Sequence, residues 1–233
     1  MAKLIKTFVE GFDERMSGGI PHGHIVLVAG NTGTLKSTFS FNLLYNNVKQ
    51  QGIKGAYVSL EQRGSELIEQ MEKLGMKLSD VKDRLAVVDV GKVRFVTEDY
   101  GLKKGWIFIV QDLIREEKAR IDFELLVLDS LDVFETMFGG EDPRINLFKF
   151  LEFLKGMNLT CILISEMSMD SEEYAKHGID FLADGIIYVK MEKKGNKRLR
   201  RVACVKMRGV KHSTDDMQLL FEDNKLKIAD ITD

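Results

Sequence analysis

Apolar positions along the chain fall into short unbroken runs, separated by longer stretches in which they recur every three or four residues. Ile25-Val26-Leu27-Val28-Ala29 is a buried-strand pattern ending in Gly30. From Ser37 to Val48 the apolar positions Phe39, Phe41, Leu43, Leu44 and Val48 keep mostly helical spacing. Gly55 to Leu60 reads as a second strand, Ser65 to Leu74 as a helix stopped at Gly75, and Leu85 to Val90 as a third strand. Arg94 to Gly105 reads as irregular, and Trp106 to Ala119 returns to helical period. Leu125 to Leu128 is a fourth strand, Ile145 to Leu154 another helix, and Cys161 to Ile164 a fifth strand. Phe148, Phe150, Phe153 and Leu154 are assigned to the core face of their helix.

Strands separated by helices imply crossover connections, hence a mainly parallel sheet with helices on both faces. After Asp180 the rhythm changes to strand after strand. Ile186 to Met191 and Leu199 to Met207 flank Lys194-Gly195-Asn196-Lys197, a hairpin turn. Met217 to Phe221 and Leu226 to Ala229 continue this antiparallel annex. The pattern predicts a single α/β domain over residues 1–233, with a core at 24–180 and a β-rich C-terminal part at 181–233.

Composition narrows the function classes. With 44% hydrophobic residues and a formal net charge of −2, there is ample core material. A chain-wide polycation that coats nucleic acid or membrane is excluded. Cys161 and Cys204 are isolated in strand-like contexts and suit buried thiols of a reducing compartment. His22, His24 and His177 lack metal-ligand spacing. The first residues lack the apolar stretch of a signal peptide, and no run suits a membrane span. A cytoplasmic protein is expected.

The strongest chemical signal is Gly30-Asn31-Thr32-Gly33-Thr34-Leu35-Lys36-Ser37, which follows a strand and opens a helix. This is the setting of a nucleotide-binding P-loop, whose backbone N–H groups and helix N-terminus cradle phosphate oxygens. Lys36 would lie against the β- and γ-phosphates, and the Ser37 hydroxyl would ligate magnesium. The strict pattern has glycine where Leu35 stands. A β-carbon in a left-handed conformation costs about 1–2 kcal/mol, which phosphate contacts can offset. Asp129 closes the fourth strand as a second magnesium ligand would, although many buried strands end in Asp. Glu61 follows the second strand, where it would face the same crevice and orient an attacking water. Without the loop it would read as an acid at the start of a helix.

Gly11-Phe12-Asp13-Glu14, then Gly18-Gly19-Ile20-Pro21-His22-Gly23, then strand and P-loop, resembles the opening of KaiC-like ATPases of the RecA superfamily. Ser59-Leu60-Glu61, Leu128-Asp129-Ser130, Ile164-Ser165-Glu166, Ala183 to Ile187 and Lys206 to His212 follow in the same order. The chain is similar to single-domain archaeal or bacterial KaiC homologues, related to RadA paralogues. The resemblance implies a RecA-like core and homo-oligomeric rings, hexamers foremost, with ATP or ADP and Mg2+ held between neighbours. It implies that Gly33, Thr34, Leu35, Lys36, Ser37 and Thr38 hold phosphates and magnesium, with Asp129 as the Walker B acid. Glu61 would be the catalytic glutamate, and Ser165 a sensor of the γ-phosphate. Lys206, Met207, Arg208, Val210 and His212 would reach the nucleotide from the adjacent subunit, and Glu222 and Asp223 would touch base or ribose. Gln62 stands where the family commonly has a second glutamate, which implies slow hydrolysis. The alternatives are a nucleotide-dependent regulatory scaffold without significant hydrolysis, or a RadA-paralogue-like single-stranded-DNA-binding recombination accessory.

Between Lys190 and Lys211 lie ten cations and one acid, Glu192. This local +9 sits in a chain of net −2, so the remainder carries −11. Lys193, Lys194 and Lys197 suit a solvated hairpin, Lys206 and Arg208 a finger onto a neighbour's γ-phosphate. The Arg198 to Arg201 cluster suits a single-stranded nucleic-acid backbone, a less favoured reading because few aromatics are interleaved for stacking.

Overall fold

The computed structural model describes residues 4–91, 105–136, 142–168 and 173–231. Strands β1 (Leu4–Ile5) and β2 (Ile20–Pro21) form a small antiparallel ribbon. The remaining strands are β3 (Ile25–Gly30), β4 (Gly55–Ser59), β5 (Leu85–Asp89), β6 (Leu125–Asp129), β7 (Thr160–Glu166), β8 (Gly185–Lys194), β9 (Lys197–Met207), β10 (Met217–Glu222) and β11 (Lys225–Ala229). They form one continuous sheet in the order β11-β10-β9-β8-β3-β7-β6-β4-β5. Pairing is parallel from β8 to β5 and antiparallel from β8 to β11. The C-terminal strands therefore extend the parallel sheet, with β8 serving both patterns. The expected irregular stretch from Arg94 lies outside the described residues up to 104.

Helices α1 (Lys36–Gln51), α2 (Gly64–Lys73), α3 (Trp106–Ile121), α4 (Leu131–Thr136), α5 (Pro143–Gly156) and α6 (Ile179–Leu182), with short 3-10 turns at Asp13–Met16, Leu78–Asp80 and Lys176–Gly178, complete the described elements. Alternation along β3 assigns its two faces. Val26 and Val28 join a cluster with Phe39, Leu43 and Val48 of α1 and Leu67 and Met71 of α2. Ile25 and Leu27 join Val110 and Ile114 of α3 and Leu147, Phe150 and Leu154 of α5. Residues two apart on a strand share a face, so a continuous apolar run supplies both layers. The N-terminal segment fills the α1 side through Ile5, Val9, Phe12, Met16 and Ile20, alongside Val202 and Leu219 of the annex. Asn42 and Asn47 of α1 bind the carbonyls of Thr7, Phe8 and Lys6, tying this segment down.

Local signals explain the boundaries. Gly52 ends α1 at φ 68°. Asp142 caps α5 by accepting from Arg144 N at 2.9 Å, with Pro143 at the first helical position. Gly195, at φ 60°, opens the two-residue loop between Lys194 and Lys197. Phe148 departs from the core face assigned to it, being 49% exposed. The buried stripe of α5 is Leu147, Phe150, Leu151 and Leu154. At about 100° per residue, Phe148 is rotated off that stripe toward solvent.

Phe150 is fully buried, its ring centroid 4.3 Å from that of Phe134. Phe150→Ala is expected to lower unfolding free energy by about 3–5 kcal/mol, read from urea denaturation without nucleotide.

Candidate functional site

From β3 the chain crosses past β7 and β6 to β4, then returns through β6 and β7 before continuing outward to β8. The order reverses beside β3, and at such a switch point the carboxyl ends of the strands open a crevice. The crevice here encloses about 350 Å³ between the loop from Thr32 to Thr38, Glu61 and Gln62 after β4, Asp129 and Ser130 after β6, and Glu166 at the end of β7. A groove of about 460 Å³ lies elsewhere, between the N-terminal segment and α1. Its lysines, acids and amides are mixed and converge on no chemistry.

The loop is held by its own backbone. Gly33 has φ 79° and Leu35 φ 73°, ψ 25°. Leu35 thus occupies the left-handed conformation expected of the glycine it replaces, while its side chain packs against the α1-side core. No side chain caps α1 at this end, so its first N–H groups are left for a ligand. Thr34 Oγ1 and Lys36 Nζ both donate to Asn31 O, at 2.8 and 3.0 Å. Asn31 Nδ2 in turn donates to Met167 O and Ser168 O, fastening the loop to the chain after β7. A β-carbon on Gly30 would lie 2.1 Å from Val189 O, so only glycine lets β3 meet β8 there.

Lys36 is 8% exposed. Burial pushes its pKa down, and the charges of Glu166, Asp129, Asp132 and Glu61 pull it back up. Asp129 Oδ2 accepts from the Tyr57 hydroxyl at 2.5 Å, and Glu61 Oε1 accepts from Ser130 Oγ at 2.7 Å. Burial, followed by the Asp129 charge, holds the Tyr57 phenol well above its usual range. The Asp129–Ser130 peptide bond is cis. Asp132 accepts from Glu166 N at 2.6 Å and pairs with Lys176 at 3.4 Å. One turn on, Glu135 lies 3.7 Å from His177 Nε2. Burial, reinforced by Asp132 and opposed by Lys176, pushes the Glu135 carboxyl up to about 7.

Not all of the anticipated residues gather here. Ser165 is buried in β7 opposite Ala29. Met207 pairs with Gly185, which pairs with Val26, four residues before Gly30. The Lys206–Arg208 end of β9 is therefore roughly 13 Å along the sheet from the loop of its own chain. There Lys206 Nζ donates to Asp180 O at 2.8 Å, and Arg208 pairs with Asp184 at 2.9 Å. Val210 follows in the same turn, and His212 Nδ1 lies 3.3 Å from Ser213 O. Glu222 pairs with Lys227 at 2.6 Å, and Asp223 occupies the β10–β11 turn at φ 51°. Within the basic cluster, Arg201 pairs with Glu192 and Asp216. Arg200 Nε instead donates to Gly33 O at 3.2 Å.

Arg200, Tyr57, Asn31, Ser130, Asp132 and Glu166 are site residues that the sequence reasoning did not assign. Arg200 carried a signal, since strand alternation puts it on the face of Val202, which abuts the loop's strand through β8. Tyr57 carried none, because an aromatic in an apolar run reads as core.

A RecA-like α/β sheet with a P-loop-patterned turn at its switch point, and an acid ending β6 two strands from β3, defines the P-loop NTPase superfamily. The family model described as "ATPase: KaiC" matches residues 5–233, and the chain belongs to that family. It is 28% identical over 224 residues to a "UPF0273 protein" of Thermotoga maritima, covering 91% of this chain and 90% of that one. It is 26% identical over 235 residues to the circadian clock oscillator protein KaiC of Synechococcus elongatus, covering 98% of this chain and 44% of that one. A crystal structure of a KaiC-like protein from Pyrococcus horikoshii superposes with a TM-score of 0.84 at 27% identity, over 98% of this chain and 100% of that one.

Leu35→Gly removes left-handed strain but adds unfolded-state entropy and loses packing, so its stability is expected within about 1 kcal/mol of wild type. Leu35→Val keeps the β-carbon and adds a branch, and is expected to lose about 1–2 kcal/mol more than Leu35→Gly in the same denaturation assay. Glu135 generates a pH dependence. Its folded value of about 7 exceeds the ordinary 4.5, so the fold binds the proton more tightly than the unfolded chain. The stability this group contributes is complete below about pH 4.5 and is lost as pH rises through about 7. Glu135→Gln is expected to shrink the stability difference between about pH 5 and about pH 7.5, measured by urea denaturation.

Proposed function

We propose that this chain binds magnesium–ATP in the crevice at the carboxyl ends of β3, β4, β6 and β7 and hydrolyses it slowly to ADP and phosphate. The convergence of Lys36, Ser37, Asp129 and Glu61 on one crevice is the observation that supports this most directly. The uncapped N–H groups from Gly33 to Thr38 would hold phosphate oxygens, and Lys36 would offset their charge. Ser37 and Asp129 offer the hard oxygen ligands that magnesium takes. Among the described residues no three His, Cys, Asp or Glu side chains converge as a metal cage. Two protein oxygens with phosphates and water is the usual arrangement for this ion at a nucleotide. Held by Ser37 and Asp129, magnesium would supply positive charge that offsets the charge on the transferring phosphoryl group.

Glu61, oriented by Ser130, would take a proton from the attacking water as its oxygen bonds to the γ-phosphorus and the bond to ADP breaks. Gln62 Nε2 lies 3.4 Å from Gln70 Oε1. An amide accepts no proton at neutral pH, which supports slow turnover. In this reading Lys206 and Arg208 serve a neighbour's nucleotide in a homo-oligomeric ring, since they lie far along the sheet from their own loop and the Arg208 side chain is 52% exposed. A second reading is a nucleotide-dependent regulatory scaffold with negligible hydrolysis. It is favoured by Lys36 and Glu61 both being tied to protein partners.

Lys36→Ala is expected to lose ATP binding in equilibrium titration. Glu61→Gln is expected to keep binding while phosphate release falls by about 10²-fold or more. Equal release from Glu61→Gln and wild type would overturn the role of Glu61. Release at the background rate from the assembled wild type would favour the scaffold.

A further inference from the structure

Tyr57 is the largest fully buried side chain among the described residues, yet its polar end meets Asp129, which lines the crevice. Its hydroxyl donates to Asp129 Oδ2 at 2.5 Å. Three elements set this arrangement. Tyr57 pairs with Val127 on β6, two residues before Asp129, so strand register brings the ring beneath the end of β6. Ser37 and Phe41 are four residues apart on α1 and so share a face. The Phe41 ring rests against Tyr57 with centroids 5.5 Å apart. Phe41 thus fixes the ring sideways, while Asp129 holds its hydroxyl.

We infer that Tyr57 is a positioning residue that fixes the carboxylate of Asp129, a magnesium ligand, through its buried hydroxyl. The inference rests on the nucleotide reading above. A carboxylate has about four acceptor sites. Occupying one on Oδ2 fixes the rotation of Asp129 and leaves the others for metal or water. A neutral phenol does this without cancelling the carboxylate's charge, which a lysine or arginine would do. The Asp129 carboxylate is therefore set before any ligand arrives, which reduces the reorganisation that metal binding requires.

The test is a magnesium titration of nucleotide binding, using a fluorescent ATP analogue with wild type and Tyr57→Phe. Binding in excess chelator is measured in parallel, and thermal denaturation checks the fold. Tyr57→Phe removes one oxygen and keeps the ring. It is expected to raise the magnesium midpoint about tenfold, the lower end of what loss of a ligand's supporting partner costs, with metal-free binding unchanged. An unchanged midpoint, or an equal loss with and without metal, overturns the inference while leaving the nucleotide reading intact. A wild type whose nucleotide binding ignores magnesium overturns that reading, and the inference with it. If Tyr57→Phe does not fold, Phe41→Leu carries the test, since it retains the hydroxyl and loosens its seat. A midpoint raised by a smaller factor supports the inference, and an unchanged one overturns it.

Discussion

Lys36 is an ammonium removed from most of its water, and the arrangement of the crevice follows from keeping it charged. An unpaired buried charge costs on the order of several kcal/mol, so acids must converge on it. Glu166, Asp129, Asp132 and Glu61 do so from three separate chain segments. Those acids repel one another, and each also needs a hydrogen bond of its own. Asp129 has Tyr57, Glu61 has Ser130, and Asp132 has the amide of Glu166 together with Lys176. One cation thus organises a set of carboxylates, of which Asp129 and Glu61 are held by neutral hydroxyls and Asp132 by an amide and a second cation. They keep their charge facing the loop.

The sheet makes this possible by placing β3 between β7 and β8. Its end must turn into α1 within a few residues, and it does so through left-handed backbone at Gly33 and Leu35. Leu35 accepts that conformation because its side chain reaches the core on the α1 side. The same sheet separates the cations of β9. Arg200 lies at the loop end of that strand, and Lys206 and Arg208 lie at its other end. A net charge of −2 therefore conceals a strongly basic β9 whose cations lie at opposite ends of one strand.

Much of the fold was legible because its signals are local. The run Ile25–Ala29, the spacing after Ser37, and the turn Lys194–Lys197 each specify an element through backbone sterics and side-chain period. The short α4 was not legible, since its six residues are too few to show a helical period. The misassigned Phe148 shows the limit from the other side. Large apolar residues close together in sequence span more than one helix face, and only the partners, α3 and the sheet, decide which are covered.

The amino-acid sequence by itself determined that a loop of P-loop pattern follows a buried strand, and that acids stand at the ends of two other strands. These are consequences of neighbouring residues and need no partner from elsewhere in the chain. Only the tertiary structure decided that Tyr57 is a polar contact as well as a core residue, that Arg200 rests on the loop, and that Lys206 and Arg208 do not. The Tyr57–Asp129 bond joins residues 72 apart in sequence, and the Arg200–Gly33 bond joins residues 167 apart. Hydrogen bonds between groups so distant are chosen by strand order and register, and no local pattern of residues encodes that order.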